Sequence, residues 1–147
     1  KRYDVKGKTY FKYPNKYYYT DIGLRNARLN YPQYDPGHIM ENVIYNELLR
    51  RGYSVDVGVV TDRSHGGNVQ KEIDFFVNDA DKKIYIQSAF QMNTGKKESS
   101  ELVSLILTRD FFKKVIVRMD IPHNFYDDNG IFHCNLIDFL LGRVELF

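Results

Sequence analysis

Between residues 37 and 90 a helical repeat of apolar residues gives way, across one glycine, to three strand-forming runs in succession, and few folds accommodate that order. From 37 to 51, Met40, Val43, Ile44, Leu48 and Leu49 recur at three- and four-residue spacing, Arg50 and Arg51 stand at the end, and Gly52 closes the segment. That is the pattern of an amphipathic helix with cations at its carbonyl end and a glycine stop. Strands are expected at 54–60, 72–77 and 83–90, rich in β-branched and aromatic residues and separated by the turn formers Ser64-His-Gly-Gly-Asn and Asn78-Asp-Ala-Asp. Three strands in a row imply a meander.

Further along, 98–107 reads as a second helix, 114–119 as a buried strand around Val115, Ile116 and Val117, 130–135 as a short strand and 136–141 as a closing helix. Ahead of the first helix, Arg2 to Phe11 carries aromatic and β-branched residues on both sides of Lys6-Gly7, as in a β-hairpin. Residues 21–36, with Gly23, Pro32 and Pro36, read as a linker crossing the surface, anchored by Tyr17, Tyr18 and Tyr19. The expectation is an α/β fold with a mixed central sheet flanked by helices, in the order αβββαββα after an N-terminal hairpin. Residues 1–36 form hairpin and linker, and 37–147 the α/β domain. Tyr45, Leu48, Phe75, Ile84, Ile86, Val115, Val117, Ile137 and Leu140 are the expected core.

Length and composition bound the classes. A chain of 147 residues, 43% hydrophobic and 27% charged, suffices for one domain with its own core. Cys134 is the single cysteine, which excludes an internal disulfide and a cysteine-rich zinc site and points to a reducing compartment. No apolar run approaches the roughly 20 residues of a membrane-spanning helix, and no secretory apolar stretch opens the chain, so a cytoplasmic protein without a membrane partner is expected. The sequence opens with Lys1 on a strand-like stretch, as a segment of a longer protein would.

The candidate chemistry lies on the meander. Glu72-Ile-Asp-Phe occupies the second strand and Ile84-Tyr-Ile-Gln-Ser-Ala-Phe the next, so Asp74 and Gln87 can lie side by side, with Glu41 facing them from the helix. Two carboxylates and an amide oxygen suit a hard cation such as Mg²⁺ or Mn²⁺, which takes few protein ligands and several waters. The competing reading makes Asp74 a strand-end carboxylate, Glu41 an acid of the first helical turns, and Gln87 a partner for buried backbone groups. Lys71 is three residues from Asp74 and is expected on the opposite strand face.

The charge is uneven: residues 1–19 hold six Lys/Arg against Asp4 alone, within a net charge of +2 for the whole chain. Lys6, Lys8, Lys12 and Lys16, interleaved with tyrosines, are candidates for phosphate contact, DNA in particular. The alternative is a hairpin with inward aromatics and solvated lysines. Asn93-Thr-Gly-Lys-Lys is not a phosphate-binding loop, because Phe90 and Lys97 stand where glycine and Ser/Thr are required. His38, His65, His123 and His133 show no ligand spacing, and surface or turn roles are expected for them.

Several of these stretches together resemble a known family. Lys16-Tyr-Tyr-Tyr-Thr-Asp-Ile-Gly-Leu-Arg-Asn, Glu41-Asn-Val-Ile-Tyr-Asn-Glu-Leu-Leu-Arg-Arg-Gly-Tyr, Lys71-Glu-Ile-Asp-Phe and Tyr85-Ile-Gln resemble the C-terminal domain that follows the P-loop core in many prokaryotic AAA-type ATPases, a domain of PD-(D/E)XK nuclease-like fold. The resemblance implies that Glu41 matches the helix acid, Asp74 the strand acid and Gln87 the acid of the final motif, together the metal and catalytic positions. It also implies that the hairpin ends a winged helix, that ATP binds only in a preceding domain, and that this ATPase domain is a partner. Active members of the fold carry an acid, any residue, then lysine in the last motif; here those positions are Gln87, Ser88 and Ala89. Loss of one preorganised charge-stabilising group costs about 10²–10³ in rate. The expected function is a catalytically degenerate nuclease-like module that recognises nucleic acid or a partner. The alternatives are an active Mg²⁺- or Mn²⁺-dependent nuclease with a displaced lysine, and a protein-interaction or oligomerisation domain.

Overall fold

The computed structural model describes residues 1–7, 9–10, 15–31, 35–63, 68–92 and 95–147, with backbone alone for 9, 10 and 95–100. The elements in chain order are β1 (Arg2–Asp4), β2 (Thr9–Tyr10), α1 (Ile22–Arg28), α2 (Pro36–Arg50), β3 (Ser54–Asp62), β4 (Val69–Asp79), β5 (Lys82–Ala89), α3 (Gly95–Ile106), β6 (Lys113–Arg118), β7 (Phe125–Tyr126), β8 (Phe132–Asn135) and α4 (Leu136–Leu140). Among the described residues no helix is long and apolar enough to cross a membrane.

The strands form one eight-stranded mixed sheet in the order β2-β1-β3-β4-β5-β6-β8-β7. β3, β4 and β5 make the expected antiparallel meander, while β5, β6 and β8 run parallel. Parallel neighbours need a crossover, and α3 supplies the one between β5 and β6. The hairpin β1–β2 is present, with Tyr3 opposite Tyr10. Its first strand pairs in parallel with β3, Arg2 opposite Val57, so the hairpin shares one sheet with the rest.

Side-chain alternation on the central strands separates two cores. Phe75, Val77, Ile84, Ile86, Val115 and Val117 pack with Met40, Ile44 and Leu48 of α2 and with Leu136 and Phe139 of α4. On the other face Phe76, Tyr85, Ala89 and Ile116 pack with Leu105 of α3 and Met92. Met40, Ile44 and Leu48 stand four apart, one stripe of α2, and burying each contributes about 1.5–3 kcal/mol. Ile137 departs from the expected core: it lies on the outer side of the short α4, 45% exposed.

α2 starts where Asp35 accepts N–H bonds from Gly37 (2.9 Å) and His38 (3.2 Å), with Pro36 in the first turn. It ends at Gly52, whose φ of 85° favours a residue without Cβ. The stretch 21–36, expected as a linker, contains helix α1. Asp21 caps it by accepting from Leu24 N–H at 2.9 Å, and this local bond outweighs the glycine at position 23. Strand β7, unanticipated, pairs Phe125 with His133. The turn expected at Ser64–Asn68 lies, for residues 64–67, outside the described residues.

One irregularity positions the site. Between β3 and β4 the register passes from Asp56 opposite Phe76 to Gly58 opposite Ile73, so two steps on β3 match three on β4. The extra residue is a β-bulge around Asp74. Residues two apart on a regular strand share a face, yet Ile73 joins the α3-side core and Phe75 the α2-side core. Gly58 accommodates the distortion, since a Cβ there would meet the Ile73 Cβ at 3.0 Å. Bulges re-aim side chains, and the residue re-aimed here is Asp74.

Candidate functional site

Glu41, Asp74 and Gln87, taken from α2, β4 and β5, converge as the sequence suggested. The bulge turns Asp74 so that its Oδ2 accepts the Ser88 N–H at 2.9 Å, while its own N–H donates to Gln87 Oε1 at 3.2 Å. Gln87 is buried, and its Nε2 donates to Glu101 Oε2 of α3. Glu72 joins the group from β4, tied on its outer side to Arg2 Nη2 at 2.9 Å.

The cation among these acids comes from the N-terminal segment. Lys16 Nζ lies 2.6 Å from Glu41 Oε1, 2.6 Å from Glu72 Oε1 and 3.4 Å from Asp74 Oδ1. Lys16 was expected at a nucleic-acid surface; it instead points inward at the acids, its side chain only 26% exposed. Lys6 does lie exposed at the hairpin turn, and Lys8 and Lys12 are outside the described residues, as is His65. Lys71 is in no ion pair among the described residues; the lysine placed among these acids is Lys16.

Lys16 is delivered by a strap, residues 15–20, fastened to α2. Tyr19 N–H donates to Asn42 Oδ1 at 2.8 Å, and Tyr19 O accepts from Asn42 Nδ2 (2.7 Å) and Asn46 Nδ2 (2.9 Å). Tyr18 stacks on Tyr45 at 4.0 Å and donates its hydroxyl to Glu41 Oε1 at 2.6 Å. Of the three tyrosines expected to anchor this segment, Tyr18 does so with its ring and Tyr19 with its backbone. The Tyr17 ring is 80% exposed.

The electrostatics follow from the crowding. Burial, reinforced by the Glu41 charge and opposed by Lys16, pushes Asp74 up to about 7. Burial opposes the Lys16 charge, but Asp74, Glu41 and Glu72 together outweigh it and hold the amine above its ordinary value. Burial, then the bond to Glu41, pushes the Tyr18 hydroxyl far above the usual tyrosine range.

A divalent cation does not fit this arrangement with Lys16 in place. Gln87 Oε1 is turned to a backbone N–H, Asp74 Oδ2 likewise, and Glu41 Oε1 and Asp74 Oδ1 face an ammonium. Among the described residues no three His, Cys, Asp or Glu side chains are disposed to hold a metal ion. The cluster adjoins a cavity of about 230 Å³ lined by Gln87, Ser88, Ala89, Phe90 and Glu101 as well as Glu41 and Asp74. Ala89 faces the α3-side core, 6% exposed.

Over 117 residues, 80% of the chain, the sequence is 37% identical to a Haemophilus influenzae protein described as uncharacterised. The chain spans about a quarter, 26%, of that relative's length. No protein-family model and no solved structure matches the chain.

Two further groups had not been expected. Glu47, anticipated as solvated, is buried: Arg50 Nε and Arg51 Nε reach it at 2.7 Å each, hold its carboxyl below the usual range, and Arg51 also donates to Phe139 O of α4. Its spacing of three and four to the arginines was the available signal. His133, expected at the surface, is 2% exposed, stacked on Phe125 at 4.6 Å, with Nδ1 3.2 Å from Arg118 Nη1. These groups join α2 to α4 and β6 to β8.

Proposed function

We propose that the chain is a nuclease-like domain of PD-(D/E)XK type in which an internal lysine stands where a metal ion would be needed. In this reading it recognises nucleic acid without cutting it, beside the P-loop ATPase portion of a longer protein. The observation that carries the reading is the position of Lys16 Nζ, within 3.4 Å of oxygens from Glu41, Glu72 and Asp74. An ammonium neutralises such a cluster, but it offers no open coordination position, and it cannot lower the pKa of a bound water as a divalent cation does.

Two features of the acids support the same reading. Gln87 brings an amide instead of a carboxylate and spends its oxygen on Asp74 N–H. Asp74, pushed up to about 7, is partly protonated at neutral pH and is a poor ligand for a hard cation. The order of helix, three antiparallel strands, helix and parallel strand, with acids on α2 and β4 beside Gln87 of β5, supports the family resemblance. The greater length of the Haemophilus relative supports the placement within a longer protein. Exposed Lys6 and the cations Arg25 and Arg28 of α1 favour nucleic acid over a purely protein partner.

The test is incubation of the domain with single- and double-stranded DNA and RNA in Mg²⁺ and in Mn²⁺, beside Asp74→Ala and Glu41→Ala. No cleavage, with salt-dependent binding retained, is the expected result. Cleavage that disappears in both variants would establish an active nuclease and overturn the reading.

A further inference from the structure

We propose that the cavity between the 15–20 strap, α1 and the first turns of α2 is a binding site for one nucleotide unit of a single-stranded nucleic acid. This rests on the recognition reading above and gives it a location. The cavity measures about 320 Å³, and Tyr17, Tyr19, Ile22, Arg25, His38 and Ile39 are among its lining residues. That volume is within the range of small-molecule sites and admits a base with its sugar.

The lining divides by chemistry. Ile22 and Ile39 provide apolar surface, and Tyr17 and Tyr19 provide aromatic rings that are 80% and 46% exposed. Exposed rings beside an apolar wall suit a planar, partly polar ring, and base stacking on such rings is tolerant of sequence. Arg25 sits with its guanidinium carbon 5.5 Å from the centre of the Tyr19 ring and donates Nη1 to Asn26 Oδ1 at 2.9 Å. Among the described residues it is in no ion pair. A guanidinium steadied on a ring, with donors still available, is the arrangement that takes a phosphate through paired N–H bonds.

Lys16 and Arg25 balance Glu41 and Asp35 along the lining, and of the two cations Arg25 is the one in no ion pair among the described residues. Lys16 and Glu41 neutralise each other across the cavity wall at 2.6 Å. Asp35 Oδ1 is turned to the N–H groups of Gly37 and His38, and His38 Nε2 lies 3.7 Å from its Oδ2. Arg28 in the last turn of α1 adds a second cation on the same helix. A duplex keeps its bases stacked, and flipping one out costs a few kcal/mol, so a single strand is the favoured source of a base for this cavity. Lys16 thus has a second consequence: with Arg2 on Glu72, it lowers the repulsion a phosphodiester would meet beside Glu41.

Fluorescence anisotropy with a labelled oligothymidylate of about 12 nucleotides tests the site in the intact chain, Arg25→Gln and Tyr17→Ala, at low and high salt. Wild type should bind and weaken as salt rises; each variant should lose about tenfold in affinity, with an unchanged thermal midpoint for Tyr17→Ala, whose ring is 80% exposed. Wild-type affinity in both variants would place the strand elsewhere and overturn the site, leaving the recognition reading intact. Absence of binding to any single strand by the wild type would overturn both. Displacement of the oligonucleotide by polyglutamate at equal charge concentration would overturn the site as a nucleotide site and favour an acidic protein partner.

Discussion

Replacing Lys16 with methionine keeps most of the stem and removes the ammonium, and the structure sets what that costs. Three contacts are lost, at 2.6, 2.6 and 3.4 Å, and Glu41, Glu72 and Asp74 are left facing one another. Removing one member of a buried ion pair costs about 3–5 kcal/mol. Lys16 keeps 26% of its side-chain surface in water, so screening reduces the loss to about 2–3 kcal/mol. For a chain of this size that is a fall of about 4–12 °C in thermal midpoint. The sign with pH follows from Asp74, whose carboxyl is raised from 3.8 to about 7 in the fold. A raised carboxyl stabilises the folded state while it is protonated, and that share is lost as pH rises through the folded value. Lys16 opposes the rise, so in Lys16→Met Asp74 binds its proton more firmly, and the deficit relative to wild type is largest above neutrality and shrinks in mild acid. At alkaline pH, where Asp74 is ionised, a divalent cation should then replace the missing charge: at ten times its dissociation constant it would restore about 1.4 kcal/mol. Thermal melts in mildly acidic and mildly alkaline buffer, with and without Mn²⁺, measure all three effects. A variant as stable as wild type at alkaline pH, or a wild type stabilised by Mn²⁺ as much as the variant, would refute the claim that Lys16 serves as the cation of this site.

Asp74→Asn should flatten the decline in stability between about pH 4 and pH 7 that the raised carboxyl imposes; equilibrium urea unfolding across that range checks it, and an unchanged slope would assign the titration to another group. Gln87→Glu, which supplies the acid that the proposed nuclease-like reading expects at this position, should destabilise by about 1–3 kcal/mol, because the donor to Glu101 becomes a buried carboxylate beside it; a stabilised variant would show that the position belongs to a cation site. Ile44→Ala, at a position with 0% exposure in the α2-side core, should cost about 2–5 kcal/mol with no change in oligonucleotide affinity, read by urea unfolding and anisotropy.

What was legible in the sequence was local. The stripe Met40, Ile44, Leu48 and the alternation through Phe75, Val77, Ile84 and Ile86 depend on periods of 3.6 and 2, which neighbouring residues suffice to reveal. Helix α1 was hidden because Gly23 and the surrounding prolines outweigh, on paper, a cap that one Asp21 hydrogen bond supplies in space. The bulge was hidden for another reason: whether Ile73 and Phe75 share a face depends on how β3 pairs with β4, and that register is set by the partner strand. Lys16 illustrates the same limit at longer range. It lies 56 residues from Glu72 in sequence and reads there as one more cation in a basic stretch.

The same two features explain why the candidate site was only half visible. Glu41, Asp74 and Gln87 could be aligned from their elements, but their chemistry depends on which way Asp74 points and on what fills the space before it. The bulge decides the first, by giving one Asp74 oxygen to Ser88 N–H and presenting the other to Lys16. The strap decides the second, because Asn42, Asn46 and Tyr45 hold residues 18–20 against α2 and leave Lys16 within reach of the carboxylates. Asn42 and Asn46 are four apart on α2, a spacing that places both amides on one face. The helix that contributes Glu41 to the cluster therefore also fastens the segment that neutralises it, and a substitution at Asn42 would act on the acids through Lys16 without touching them.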